Sequence, residues 1–514
     1  MRTALIFAIT VLISFAPDAM ALPRASWRRP PLMLLGHALG VLFLCALFML
    51  PTARPVFAAF CTLGLLTAMA AVSNGKLEEL CEPFVFSDLL LLPQAFRHPR
   101  FYLTSGSKRI LTLEGLGVVL LALIWWADPP VTPHPWWPCL LGMVACVTLG
   151  YGVLACVPLT HDVMTDQRRC GFFVVYIGYL LKGLHPATPR RLRSVLQTGP
   201  FAADDDVPAG DMQPDVIVIQ SESYFDARGV SAAIDPSAYT QLDRARRESL
   251  AWGQLTVPAW GANTMRTEFA LLTGVAPAAL GVAHYYPYAF LRRACATLPG
   301  LFKRRGYATL ALHPFNAEFF QRDRVYPLMH FDHFLDITHF NDAPRAGPYV
   351  SDAGMTEAIF AALDQAPRDA PRFIFGITME NHGPLRLETV TAGEASQYHT
   401  LGEDARWHDL TVYLRHVVNA DAMIGTLLDR LRARQRPTVL CFYGDHVPGL
   451  HGAFRALGVQ PVHSDYFIWR NFGDPPAPSA TRRDVPAEAL GVMTLAALRD
   501  GKVPGEQKCV QAHK

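Results

Sequence analysis

The chain has 514 residues, too many for one ordinary globular core, so at least two structural parts are expected. Hydrophobic residues make up 51% of it, which is high for a soluble protein, while the net charge of +2 and the lack of a basic patch argue against nucleic-acid binding. Seven of the ten cysteines fall within the first 170 residues with no CxxC or Cys/His spacing, so neither a disulfide framework nor a zinc finger is supported.

The apolar stretches near 3–20, 32–53, 57–73, 110–127 and 136–158 are each about the length needed to cross ~30 Å of hydrocarbon. They define a transmembrane domain over 1–160 with about five helices. The first run, with Arg2 before it and Ala19-Met20-Ala21 after it, also fits a cleaved signal peptide. Trp125, Trp126, Trp136 and Trp137 bracket the loop 128–135, at the depth tryptophan favours. The segment 74–109 mixes Phe84, Phe86 and Phe101 with Lys76, Arg97, Arg100, Lys108 and Arg109, and reads as an amphipathic surface segment. A sixth run, 171–184, is short and either lies in the interface or crosses. Five crossings that end outside would place Arg24, Arg28, Arg29 and the basic 74–109 segment on the outer face, against the positive-inside rule. Counting 171–184 as a crossing satisfies the rule better.

Residues 161–212 read as a juxtamembrane segment and polar linker, and 213–500 as a globular domain. Stretches 215–220, 307–312, 373–378 and 438–443 read as buried strands. Between the last two, Leu410, Leu414, Val417, Ile424, Leu428 and Leu431 line one helix face, with Pro437 just beyond its basic end. Strands alternating with helices predict an α/β domain with a largely parallel central sheet. In such sheets ligand sites form at the carboxyl ends of strands.

The unusual polar residues fall at those ends. Glu222 follows the first strand, where it suits a metal ligand, a helix cap or a solvated turn. Asp445 and His446 follow the last strand and offer a hard oxygen and an imidazole nitrogen to one cation. Asn263 reads as an N-cap, so Thr264 would open a helix, where developing negative charge is favoured. A metal on its hydroxyl would make Thr264 a nucleophile at neutral pH; the bland alternative is capping. His382, after a strand, could protonate a leaving oxygen, and Arg322 could bind phosphate in bidentate fashion. Read singly, a structural histidine and a surface ion pair are the commoner explanations.

In this order, the motifs Ser221-Glu222-Ser223, Thr264-x-x-x-Glu268-Phe269, Phe320-x-Arg322, Asn381-His382 and Gly444-Asp445-His446 occupy the segment 213–475. That segment resembles the lipoteichoic acid synthase and phosphoglycerol transferase family of the alkaline-phosphatase/sulfatase superfamily. The resemblance implies a metal site of Glu222, Thr264, Asp445 and His446, holding Mn²⁺ by preference, with Mg²⁺ or Zn²⁺ as alternatives. It implies Thr264 as covalent nucleophile, His382 facing the substrate phosphate, and a phosphoglycerol pocket shaped by His313, Phe320 and Arg322. Phe320 stands where the family often has Trp, which bears on headgroup fit.

The activity so implied moves phosphoglycerol from phosphatidylglycerol to a glycan or polymer hydroxyl. The enzyme would be multi-pass in a bacterial inner membrane, with its catalytic domain on the periplasmic or extracellular side. Phosphoethanolamine transfer is the first alternative, since Glu318 could meet an ammonium headgroup. A plain phosphodiesterase is the second, and a non-catalytic membrane sensor the third. The formylglycine sulfatase signature needs Cys or Ser with Pro and Arg at +2 and +4. Here Arg266 and Glu268 hold those places, which disfavours that chemistry.

Overall fold

The structure is a computed structural model that describes residues 1–91, 97, 107–203, 213–365, 370–473 and 482–499, with backbone only for 107–116. It divides into two compact units, Met1–Thr188 and Pro189–Lys514.

In the first unit, four described helices are long and apolar enough to cross a membrane: Arg2–Met20, Pro31–Thr52, Pro55–Leu80 and Trp136–Ala155. A fifth helix, Ser107–Ala127, contributes an apolar stretch over Gly117–Ala127. The helix Phe172–Leu184 has 13 residues, which at about 1.5 Å each span about 20 Å and fall short of a bilayer core. Of the amphipathic segment, the first part continues the helix that ends at Leu80, and a 3-10 turn spans Phe86–Leu91. Arg100 and Phe101, and the side chains of Lys108 and Arg109, lie outside the described residues.

Buried acids tie this unit together. Asp128 accepts the backbone N–H of Val56 at 2.8 Å and of Phe57 at 3.0 Å, capping the helix that Pro55 opens. Asp18 accepts the Phe173 N–H at 2.8 Å and pairs with Arg29. Trp126, Trp136 and Trp137 are exposed around the 128–135 loop, as amphipathic rings at an interface are.

The second unit is built on strands β1 (Asp215–Ser221), β2 (Ala251–Thr256), β3 (Ala308–Leu312), β4 (His333–Leu335), β5 (Arg345–Ala346), β6 (Tyr349–Val350), β7 (Arg372–Ile377), β8 (Thr438–Gly444), β9 (His463–Arg470) and β10 (Val485–Pro486). Eight of them form one sheet in the order β10-β2-β9-β8-β1-β7-β3-β4, and β5-β6 form a separate hairpin. Within the large sheet β9 alone runs antiparallel to its neighbours, so the sheet is mixed and mostly parallel, as the alternating pattern predicts. All residues of β1 and β8 are buried, which fits central parallel strands covered on both faces. The helix His408–Ala433 buries Leu410, Leu414, Val417, Ile424, Leu428 and Leu431 in the main core.

Register then sets the site. Ser221 pairs with Gly444, and Gln220 with both Tyr443 and Ile377. The carboxyl ends of β8, β1 and β7 therefore lie side by side, and their loops begin at 445, 222 and 378.

Candidate functional site

Two adjacent strand ends bring Glu222, Asp445 and His446 together, with one ligand atom from each lying within 4.8 Å of the others. All three are buried. His446 Nε2 lies 3.6 Å from Glu222 Oε1 and 3.5 Å from Asp445 Oδ2. Its Nδ1 lies 3.2 Å from the Val447 carbonyl, which can only accept. The proton therefore sits on Nδ1 and the Nε2 lone pair faces the carboxylates. Asp445 Oδ1 accepts the N–H of Ser223 at 2.8 Å and of His446 at 2.9 Å. Gly444 is required here, because a Cβ would meet the Tyr224 carbonyl oxygen at 1.8 Å.

The donor set fits a divalent cation. Asp445 Oδ2 is buried without a hydrogen-bond partner. Burial first, and Asp445 second, push the Glu222 carboxyl up to about 8, against the lowering effects of His446, Ser223 and Arg322. Two carboxylates and an imidazole suit Mn²⁺ or Zn²⁺ in particular.

Thr264 stands at the N-cap of the helix Met265–Thr273, in helical backbone geometry (φ −34°, ψ −42°) and with no side-chain capping bond. The expected cap, Asn263, instead adopts the left-handed region at φ 65°, which Asn tolerates. The capping role expected as the bland alternative for Thr264 is therefore not taken up. Thr267 Oγ1 donates to the Asp445 carbonyl at 2.7 Å and fixes this helix start against the cation cluster.

Arg322 is buried in an ion pair with Glu268. Its Nε and Nη2 lie 3.2 Å and 2.8 Å from Glu268 Oε2, and Nη1 is buried without a hydrogen-bond partner. Glu268 also accepts from Tyr326 Oη at 2.6 Å and from Tyr288 Oη. The sequence pattern expected both guanidinium arms on phosphate. The structure commits one edge to Glu268 and leaves one nitrogen over. The Phe320 ring lies 5.3 Å from the guanidinium carbon. The charge of Arg322 lowers the carboxyl of Glu222 and the imidazoles of His313 and His382. Burial first, and then Arg322, hold the His313 imidazole well below its ordinary range. Burial likewise lowers His382, against the raising effects of Gly383 and Asp445.

Ser223, Asn263, Phe320 and Gln321 all have positive φ without being glycine. Ser223 follows Glu222, Asn263 precedes Thr264, and Phe320 and Gln321 precede Arg322; backbone strain of this kind collects at functional sites. Sequence reasoning missed Tyr288, Tyr326 and Glu380, and named Asn381 only as the neighbour of His382. Glu380 lies two residues before His382, and its polarity after a buried strand was the available signal.

The sulfatase family model matches residues 214–494, more than half of the chain. The chain belongs to the sulfatase family. Capsular polysaccharide biosynthesis protein RkpI of Rhizobium meliloti (strain 1021) is 29% identical over 443 residues, covering 81% of this sulfatase-family chain and 77% of the relative. The integral membrane protein lipooligosaccharide phosphoethanolamine transferase A (EptA) from Neisseria meningitidis aligns with a TM-score of 0.57 at 14% identity, over 96% of this chain and 94% of that one. The phosphoglycerol transferase GacH of Streptococcus pyogenes, in complex with sn-glycerol-1-phosphate, aligns at 22% identity and a TM-score of 0.46, over 61% and 80%. The likeness to EptA extends the shared fold across the membrane helices as well as the sulfatase domain.

Proposed function

We propose that this family member transfers phosphoglycerol from phosphatidylglycerol to a glycan or polymer hydroxyl through a covalent intermediate on Thr264. The observation that carries the reading is the convergence of Glu222, Asp445 and His446 beneath a helix start whose threonine hydroxyl is not spent on capping. A cation held by Glu222, Asp445 and His446, with Thr264 Oγ1 completing the set, would supply Lewis acidity toward the hydroxyl and the phosphate. Mn²⁺ is the ion we favour.

The chain's own residues do the rest. Thr264 Oγ1 gives its proton to solvent as it attacks phosphorus, and the bond to the diacylglycerol oxygen breaks; in the return step the acceptor oxygen displaces Thr264 Oγ1, which regains a proton from solvent. His382 delivers the proton that this oxygen needs, and takes one from the acceptor hydroxyl in the return step. The spare Nη1 of Arg322 holds a phosphate oxygen. His313 and Phe320 wall the headgroup. Splitting one displacement into two is the usual benefit of a covalent intermediate.

The wall favours glycerol over ethanolamine. Arg322 and two tyrosines occupy the Glu268 carboxylate, so that acid is not available to an ammonium group. Glu318, the acid expected to serve ethanolamine, is exposed. A glycan acceptor is supported by RkpI, whose name concerns a capsular polysaccharide. The domain layout we adopt is a membrane part over 1–160, a linker over 161–212 and catalysis over 213–500, with the catalytic domain outside the bacterial inner membrane.

The test is incubation of the purified full-length protein with Mn²⁺ and a fluorescent phosphatidylglycerol. Diacylglycerol release and a phosphoglyceryl adduct on Thr264 by mass spectrometry are expected, and both vanish in Thr264→Ala. Turnover of phosphatidylethanolamine instead would move the protein to the first alternative. Full turnover by Thr264→Ala would sink the nucleophile.

A further inference from the structure

His416 joins the two ends of the loop that carries Asn381 and His382. Its Nδ1 lies 3.0 Å from Glu380 Oε1, and its Nε2 lies 3.0 Å from Glu388 Oε1. The side chains of His416 and Glu380 are almost completely shielded from water, and that of Glu388 is 14% exposed. Carboxylates without a proton only accept, so both ring nitrogens donate and the ring is an imidazolium. One cation thus grips positions 380 and 388 and closes residues 381–387 into a loop cinched at its base.

The rest of the clasp is anchored as well. Glu380 Oε2 accepts the N–H of Asp352 at 2.7 Å, at the start of the helix Asp352–Asp364. Glu380 Oε1 also accepts from the Asn419 carboxamide, one turn beyond His416 on the helix His408–Ala433. Arg415 lies 3.3 Å from Glu388 Oε2. Within the loop, Tyr349 Oη donates to the Gly383 carbonyl at 3.0 Å, and its ring lies 5.6 Å from that of His382. The His382 N–H donates to the Met379 carbonyl at 3.0 Å, and its Nδ1 lies 2.8 Å from the Gly383 carbonyl. These two bonds tie the His382 imidazole to the loop backbone, and the clasp fixes both ends of that loop.

We propose that His416, bridging Glu380 and Glu388, is the positioning residue that holds His382 for proton transfer. This rests on the reading of His382 as the proton donor. A positioned acid is worth about 100-fold to 10,000-fold in rate when the leaving group is a poor one, and little when it is good. A misplaced acid should therefore slow a lipid donor, whose leaving group is an alkoxide, and spare a donor that releases an aryl oxide.

The experiment uses the full-length enzyme with Mn²⁺ and two donors, phosphatidylglycerol and glycerol p-nitrophenyl phosphate. His416→Gln is expected to lower kcat on the lipid about tenfold or more with KM little changed, and to leave the aryl donor's turnover near wild type. His382→Ala should show the same split more strongly. Glu388→Gln, which loosens the clasp at its more exposed end, covers the case in which His416→Gln does not fold. Unchanged lipid turnover in His416→Gln, or an equal fall on both donors, overturns the clasp. If His382→Ala itself loses both donors equally, the proton-transfer reading fails and the clasp falls with it. The expected split in His382→Ala with an unaffected His416→Gln overturns the clasp alone.

Discussion

Glu268 and Arg322 form an ion pair 2.8 Å long in which neither side chain is more than 1% exposed. Breaking a buried pair from one side leaves an uncompensated charge and costs about 3–5 kcal/mol. Glu268→Gln and Arg322→Met should therefore each lower the denaturant midpoint strongly. The double variant should be destabilised by less than the sum of the two, because no charge is left stranded. Turnover should stay low in all three. Additive stability losses would show that the pair does not act as a unit.

Metal removal has a direct readout. A ligand that binds only the folded state stabilises it by mass action, about 2.7 kcal/mol at a free concentration 100 times its Kd. Mn²⁺ titrated into chelator-treated protein should raise the melting temperature progressively. Asp445→Asn should abolish the shift, since Asp445 Oδ2 is the buried oxygen with no protein partner. A shift that survives in Asp445→Asn would place the ion elsewhere.

Much of this was legible in the chain itself. The buried strands declare themselves as apolar runs, because both faces of a central parallel strand are covered, and β1 and β8 fall within a residue of their expected ends. The acids that follow them stand out for the same reason. What spacing could not show is pairing across the fold. Arg322 and Glu268 are 54 positions apart, and only the packed structure shows that one edge of the guanidinium is already taken. The bond from Glu380 to His416 spans 36 positions and was invisible likewise. The Asn263 cap failed because a left-handed residue and a helix N-cap share the same residue preference, and sequence alone does not separate them.

Asn381 offers a test of function against stability. It is 2% exposed, and neither its carboxamide oxygen nor its nitrogen has a hydrogen-bond partner. A buried polar group left unsatisfied costs about 1–3 kcal/mol, so the native protein carries that cost at a position next to His382. Asn381→Leu should hold or raise the denaturant midpoint while lowering turnover on phosphatidylglycerol. A clear loss of stability would mean that the carboxamide serves the fold and not the substrate.

The charge on His416 gives the stability a pH dependence whose sign is fixed by geometry. Burial alone pulls the imidazole down, but the hydrogen bonds and charges of Glu380 and Glu388 outweigh it and raise it above its ordinary 6.5. Asp352 also faces Glu380, and its carboxyl is pushed well above its ordinary range by burial first and by that neighbour second. Arg415 faces Glu388 and competes for it. A group whose pKa is raised on folding binds its proton more tightly in the native state. Its contribution is complete below pH 6.5 and is lost as pH rises through the folded-state value. The stability difference between wild type and His416→Gln, measured by denaturant titration across this range, should therefore shrink as pH rises above 6.5. The residual difference at high pH reports the packing of the neutral ring. A difference that stays constant with pH would show that His416 is neutral in the folded protein, and that one of its two carboxylates carries the proton instead.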